Sequence, residues 1–521
     1  MFIRSRALAT VAMVALVAGV GAPALAQVAQ DPANQDTLQQ ALGLAYRTNP
    51  TLLAQRASQR ALDESIVQAR SGLRPTLDVS GSAGYSYSDN AGGAQQVDTN
   101  NDGIPDTTIN VPASNSDSTS GGVSVGLSQT LYSGGRIALG ITAAEANVLA
   151  GRENLREIEQ QVLASVIQAY ADVIRDVEIL RIREENLTVL QRQLDEAGAR
   201  FEVGEITRTD VAQAEARLAQ SEADLATSRA QLSVSRAAYA AVVGQAPGNL
   251  APMPQLPGIP TDFDAALDIA LEENPGVLAA AYNLQAAEAA VAQARAEYLP
   301  SVRVSASYGG STNDLSNFDL ADRTAFQATA SVSVPLFTGG LNRSRVSQAL
   351  ERANVAQINV EGERRNVLQS VSSAYAQVVS ARSTLAAGEE SVRAARVAAE
   401  GVRQEAQVGL RTTLDVLNQE LELRSAEVAL ANARRNEYVA QAQLLAAMGR
   451  LEGADLVSGI EVYDPATNYD RVRNNGALPW DGIIETIDRI ASPPIMPAND
   501  AEDAPIDTQL KGEVIRTAPR D

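Results

Sequence analysis

The chain of 521 residues carries one pattern twice, and this duplication limits its possible folds more than any other feature. Asn49-Pro50 recurs as Asn274-Pro275, and Arg74-Pro75 returns as Leu299-Pro300, both 225 positions later. Downstream the offset is 205: Leu131-Tyr132-Ser133-Gly134-Gly135 matches Leu336-Phe337-Thr338-Gly339-Gly340, Ala169-Tyr170 matches Ala374-Tyr375, and Gly204, Asp210-Val211 and Gly244 match Gly409, Asp415-Val416 and Gly449. The first copy therefore holds 20 extra residues between Pro75 and Leu131, in the Gly/Asn/Asp/Ser-rich stretch from Asp89 to Ser120.

Each copy opens with a helical pattern broken at Asn-Pro, because the residue before proline is pushed out of the helical region. In copy one this gives helices from Thr37 to Thr48 and from Thr51 to Gly72. Strict two-residue alternation follows, the mark of a strand. Leu77, Val79, Gly81, Ala83, Tyr85 and Tyr87 share one face, and Thr76, Asp78, Ser80, Ser82 and Ser86 the other. Val123 to Leu131, Val302 to Tyr308 and Phe326 to Val334 alternate in the same way. Each strand is expected to run for about 10 residues, enough to span a bilayer when tilted. Four such strands cannot close a barrel, whose known minimum is about eight, and open edges cannot sit in lipid. Several chains must then share one barrel. The rival is a soluble sandwich with one wet face; against it stands the lack of further strands to cover the apolar face.

A very long helix, Arg136 to Phe201, follows the Gly-Gly turn, with Val166, Val173, Leu180, Leu187, Leu194 and Phe201 recurring every seven residues. Val371, Val378, Leu385, Val392, Ala399 and Ala406 match them in copy two. At 1.5 Å per residue such a helix spans about 100 Å. It reverses over Glu202 to Thr207 and returns from Thr209 to Val243. The return covers about half the length, so the helix Thr51 to Gly72 must stack end to end with it.

Arg4 and Arg6, an apolar run from Ala7 to Val20 and Ala24-Leu25-Ala26 read as a secretion signal. The mature chain is expected to start at Gln27. A transmembrane anchor is the rival reading, but about 14 apolar residues fall short of the roughly 20 a spanning helix needs. With no cysteine and no histidine the chain has no thiol nucleophile, disulfide, Cys/His zinc site or imidazole triad. A net charge of -21 argues against nucleic acid as a partner. No enzymatic activity and no cofactor are expected.

Two copies of helix, strand hairpin, long helix, reversal and return helix behind a secretion signal resemble the TolC family of outer-membrane efflux proteins. The likeness covers residues 35 to 453. Its most specific stretches are Arg200-Phe201-Glu202-Val203-Gly204 with Thr209-Asp210-Val211, and Val408-Gly409-Leu410-Arg411-Thr412 with Leu414-Asp415-Val416-Leu417. The resemblance implies a mainly α fold with a membrane β-barrel. Three chains would share a 12-stranded β-barrel in the outer membrane, above long antiparallel coiled-coil helices that form an α-barrel across the periplasm. It implies a passive exit duct for tripartite efflux or type I secretion in a Gram-negative bacterium. The implied partners are two further copies of the chain, a periplasmic adaptor, an inner-membrane pump and outer-membrane lipid. Adaptor docking would fall on Val203, Gly204, Glu205, Ile206 and Thr207, and on Val408, Gly409, Leu410 and Thr412. Arg411 facing Thr209 and Asp210 would hold the pore shut, with Asp415 in an acidic ring and Asn418 where the family can carry a second carboxylate. The organisation that follows is a signal at 1–26, repeats at 27–261 and 262–453, and a partly disordered extension at 454–521.

In the extra loop Asp98, Asn100, Asp102 and Asp106 stand at alternate positions around Gly103, as in calcium loops. The twelfth position is Ile109 rather than Glu, so a solvated acidic extracellular loop is favoured over a calcium site. Beyond the repeats, Trp480 to Ile490 is expected to form a short amphipathic helix through Ile483, Ile484, Ile487 and Ile490, packed at the middle of the α-barrel; from Ser492 the chain reads as disordered. The alternative to a duct is a secreted structural coiled coil at the cell surface, which would need neither strands nor reversals.

Overall fold

The structure, a computed structural model, describes residues 36–101, 103–313, 315, 323–457 and 459–497. The expected signal lies outside them. Helix α1 (Leu38–Thr48) starts with a capping box between Thr37 and Gln40. Asn49, extended ahead of its proline, accepts hydrogen bonds from the amides of Thr51 and Leu52 and so opens α2 (Pro50–Ser71). Then come β1 (Thr76–Asn90), β2 (Gly93–Val97), β3 (Thr107–Val111), β4 (Ser114–Tyr132), α3 (Arg136–Glu202) and α4 (Arg208–Val243). The second copy repeats this as α5 (Phe263–Glu273), α6 (Pro275–Ala296), β5 (Ser301–Thr312), β6 (Arg323–Ser333), α7 (Leu341–Gln407) and α8 (Thr413–Ala447). Asn274 caps α6 as Asn49 caps α2. The extension adds α9 (Gly453–Leu456), α10 (Pro465–Val472) and α11 (Asp481–Arg489).

The two copies pool their strands into one antiparallel sheet ordered β1-β4-β5-β6. Copy one departs from the expected strands of about ten residues. β1 has 15 residues and β4 has 19, and between them β2 and β3 pair from Gly93–Val111 to Val97–Thr107. The extra residues extend the hairpin instead of forming a loose loop. Their β-formers (Val97, Thr107, Thr108, Ile109, Val111) supply the reason, and hydroxyl pairs carry the ladder upward, Ser86 to Ser118 at 2.8 Å and Ser88 to Ser116 at 3.1 Å.

Both long helices have 67 residues, so each spans about 100 Å. α3 packs against both α2 and α4 and against α6 and α8, which ties the two copies side by side. The core lies where α1 and α5 meet the long helices. There Tyr170 donates to the carbonyls of Asp36 and Ala251, and Tyr375, its counterpart, donates to that of Thr261. The seven-residue row of copy two is buried at Val371, Val378, Val392 and Ala399. That of copy one is buried at Val166 and Val173 but has turned to solvent by Phe201, where Leu190 and Ala197 carry the seam. A 3.6-residue helix drifts against a seven-residue repeat, which moves the buried line. The return helix answers with Ala214, Ser221, Ser228 and Ser235 at heptad spacing. Two buried polar links fix the register: Asn186 donates to Ser221 at 3.0 Å, and Ser235 donates to Asp176.

The C-terminal helix forms, but at the strand–helix join instead of the middle of the rod. α3 begins at Gly135, whose positive φ of 85° provides no side-chain cap. Asp488, fully buried on α11, supplies one from 350 residues away, accepting from the amides of Ser133 and Ala138 and the Ser133 hydroxyl. The carboxylate ties α11 to the N-terminus of α3, where the helix dipole favours a negative charge. Ile484 packs on Leu73 and Ile141 beside it. Residues 492–497, expected to be disordered, continue across the join, with Ser492 against Gly135 and Met496 beside Arg295. Asp488→Ala should leave three buried donors without their acceptor, costing about 1–3 kcal/mol for each that finds no other partner. Limited proteolysis should then release the extension before the helical rod is cut; an unchanged digestion pattern would contradict the capping role.

Candidate functional site

Two regions have the geometry of a working surface: the sheet and the helix reversals. In the sheet, rungs such as Val79-Val125-Tyr308-Phe326 and Leu77-Leu127-Ala306-Ala328 line one apolar face. The opposite face carries Asp78, Ser80, Ser124, Ser305, Ser307, Gln327 and Thr329, with Ser80 and Ser124 hydroxyls 2.8 Å apart. Leu77, Val79, Tyr308, Phe326 and Val332 remain exposed, and among the described residues no element covers them. The outer strands β1 and β6 each have a neighbour on one side only.

At the far end of the rod, both reversals are built alike. Gly204 and Gly409 take positive φ, 79° and 78°, and end α3 and α7, while the amides of Glu205 and Leu410 reach back to the carbonyls of Arg200 and Glu405, each at 2.9 Å. Thr207 with Asp210, and Thr412 with Asp415, form capping boxes that start α4 and α8. An added Cβ at either glycine would meet nothing within 4 Å, so conformation and not crowding demands glycine there. Val203, Val408 and Leu410 each point at least 70% of their surface into solvent, and Glu205 is exposed beside them, with Ile206 half-buried. A cavity of about 340 Å³ opens between the two hairpins just behind the tips, lined by Arg192, Glu196, Arg200, Arg403, Gln407 and Thr413.

The candidate gate residues gather at these tips, but within one chain each is engaged locally. Arg411 pairs with Glu405 at 2.8 Å across the Gly409 turn, and Thr209 is exposed in the first turn of α4. The Thr207 and Thr412 amides and hydroxyls hold the Asp210 and Asp415 carboxyls below their ordinary range. Asn418 accepts a hydrogen bond from Arg217 at 3.1 Å, linking α8 to α4. In the copy-one hairpin, Asp98 accepts from the amides of Asn100, Asn101 and Gly103, and Asp106 accepts from Thr99. Those carboxylates shape the turn between β2 and β3. Asp102 lies outside the described residues, and among the described residues no acidic group is assembled for a metal.

A sequence profile described as outer membrane efflux protein matches the chain twice, over residues 41–245 and 266–450, once for each copy. The chain belongs to the outer membrane efflux protein family. It is 34% identical over 448 residues to the outer membrane efflux protein BepC of Brucella suis biovar 1 (strain 1330), covering 86% of this chain and 92% of that one. It is 25% identical over 437 residues to the outer membrane protein TolC of Escherichia coli (strain K12), covering 81% of this chain and 84% of that one. Among solved structures, the fold is shared with the outer membrane protein VceC of Vibrio cholerae, with a TM-score of 0.64 at 21% identity over 79% of this chain and 96% of that one. It is shared too with the CmeC outer membrane channel of Campylobacter jejuni, with a TM-score of 0.67 at 16% identity over 84% and 89%. Like its family, the chain is an efflux channel protein of the outer membrane.

Within this efflux-protein fold, sequence reasoning missed Glu405, Arg217 and Asp488. Glu405 lies six residues before Arg411, a spacing that faces it only once Gly409 has reversed the chain. Arg217 stands off the buried row of α4 at Ala214 and Ser221, so the heptads that locate the seam do not mark it. Its guanidinium sits beside Asn418, the position at which the family resemblance allows a second carboxylate. Asp488 had no local signal, since its partners are hundreds of residues distant.

Proposed function

We propose that three copies of the chain close one barrel and one helical tunnel, forming a passive duct that a periplasmic adaptor and an inner-membrane pump open at the glycine tips. The observation that carries this is the sheet itself: apolar outside, hydroxyl-lined inside, unpaired at both edges and continuous with rods of about 100 Å. An unpaired edge in lipid leaves backbone groups without partners, so β1 of one chain must pair with β6 of the next. Two chains would give eight strands, whose interior side chains fill; three give twelve and leave a lumen. The polar faces of the strands then line a water-filled conduit.

The exposed Val203, Val408 and Leu410 around the two glycine reversals, with the groove between the hairpins behind them, suit the helical tip of an adaptor. The gate rests on Arg411. In one chain Glu405 holds it at the mouth, and threefold repetition brings its charge toward Thr209 and Asp210 of the neighbouring hairpin. Exposed pairs of this kind are individually weak, which lets adaptor contacts displace them. In planar bilayers the purified protein should show a small steady conductance and Arg411→Ser a larger one. Asp210→Ala should act in the same direction, and the double variant should exceed neither single change if one link is broken.

Asp415→Ala should leave the opening unchanged while weakening block by multivalent cations. In the parent that block should persist as pH falls toward the carboxyl range, because the bonds from the Thr412 amide and hydroxyl lower the Asp415 pKa. Parent-like conductance in both Arg411→Ser and Asp210→Ala would remove the gate assignment.

A further inference from the structure

α11 is three-sided. Ile484 and Asp488 are buried against the join, and Asp481, Glu485 and Arg489 form a polar flank. A third stripe, Trp480, Ile483, Ile487 and Ile490, follows the i, i+3, i+7, i+10 spacing of one helix face and is exposed, Ile483 and Ile490 by more than 60% of their surface. Ile495 and Met496 prolong it along the chain beyond the helix, also exposed.

The place of this stripe is fixed by the foot of β4. The register shift between Thr130 and Tyr132 sets Tyr132 opposite Val302, in the rung with Val332, so the bulge returns Tyr132 to the apolar outer face of the sheet. Its hydroxyl donates to the Ile490 carbonyl at 3.1 Å. The stripe therefore begins where the outward apolar face of the strands ends, on the same side of the molecule. Below the lipid-facing band of a barrel lies the membrane–water interface, the level at which Trp and Tyr side chains concentrate.

We propose that α11, with the segment as far as Met496, lies in the phospholipid headgroup boundary of the periplasmic leaflet, its stripe dipped into the acyl region. Asp488 and Ile484 fasten the helix to the join, so the bilayer grips the duct at the level where strands become helices. Interfacial helices of this kind bury their apolar face about 5–10 Å deep. The inference rests on the shared barrel proposed above.

Trp480 is the only tryptophan of the chain, so its emission reports on this helix alone. The full-length protein is reconstituted into phospholipid vesicles containing lipid with a nitroxide near the carbonyl end of the acyl chain, or at its far end. Loss of most of the Trp480 emission is expected with the shallow label, a smaller loss with the deep one, and little with aqueous acrylamide. Ile483→Ser with Ile487→Ser should lift the helix and restore emission. Quenching by acrylamide and not by lipid would put the stripe in water. Protection from both would place it under a neighbouring chain, whose exposed Leu336 and Phe337 offer such a surface. Either result overturns the proposal, as does unaltered shallow quenching in the double variant. Flotation and conductance of the same vesicles separate the two readings: a protein that fails to insert overturns the shared barrel, whereas an inserted, conducting protein with unquenched Trp480 overturns only the lipid contact.

Discussion

Ala306→Arg will prevent stable insertion of the protein in the outer membrane, whereas Ser307→Arg one residue away will be tolerated. Ala306 lies between Leu127 and Ala328 on the apolar face of the sheet, and Ser307 lies between Gly126 and Gln327 on the other. An arginine near the bilayer midplane on the lipid side of a barrel costs about 2–4 kcal/mol. Three symmetry-related copies raise that to about 6–12 kcal/mol by the same scale, comparable to the whole stability of a domain. On the lumen face the guanidinium introduced by Ser307→Arg would join that of the native Arg303 in water. The two substitutions place the same side chain at neighbouring positions of one strand, so the contrast isolates the face. Membrane fractionation with heat-resistant oligomer on gels reads it out. Equal tolerance of both would mean that the sheet does not face lipid.

The second large effect is expected at the tips. Gly409→Trp and Gly204→Trp should abolish export while leaving the amount of membrane oligomer unchanged. Any L-residue at these left-handed positions pays about 1–2 kcal/mol of backbone strain, a modest sum for helices clamped by capping boxes on the far side of the turn. Because a Cβ there meets nothing in the chain itself, bulk adds no internal clash. Gly409→Ala therefore separates the two causes: it carries the same backbone strain without the ring. Loss of export in the Trp variants, with the Ala variants largely active and thermal stability shared, identifies a surface on which another protein sits. Normal export from both Trp variants would take the tips out of the mechanism.

Much of this was legible because the physics is local or periodic. Asn49-Pro50 and Asn274-Pro275 mark helix starts through proline geometry alone, and alternation at Leu77 to Tyr87 or Val302 to Tyr308 fixes which side chains share a face. Heptads gave the rods their length. What escaped the sequence depends on contacts between distant segments. The buried line on α3 could be placed only with its partner helix present, since Ser221 and Ser235 decide which of two adjacent rows turns inward. The stretch from Asp89 to Ser120 looked like loop because Gly, Asn and Asp dominate it, yet hydroxyl pairs across β1 and β4 sustain the ladder. α11 was readable as an amphipathic helix and not as a cap, because Asp488 finds Ser133 only after the repeats have folded. At the tips the residue types were plain, but Arg411 and Asp210 lie on different hairpins, and one chain supplies each with a local partner, Glu405 and Thr207.

The shared barrel is tested most directly by the native mass of the complex extracted from outer membranes in mild detergent. Three unpaired-edge sheets closing on one another require a particle of three chains that stays intact without any other protein, and Ser307→Arg should leave that mass in place. A monomer or a dimer as the stable membrane species would contradict it, because neither four nor eight strands would enclose a lumen for cargo.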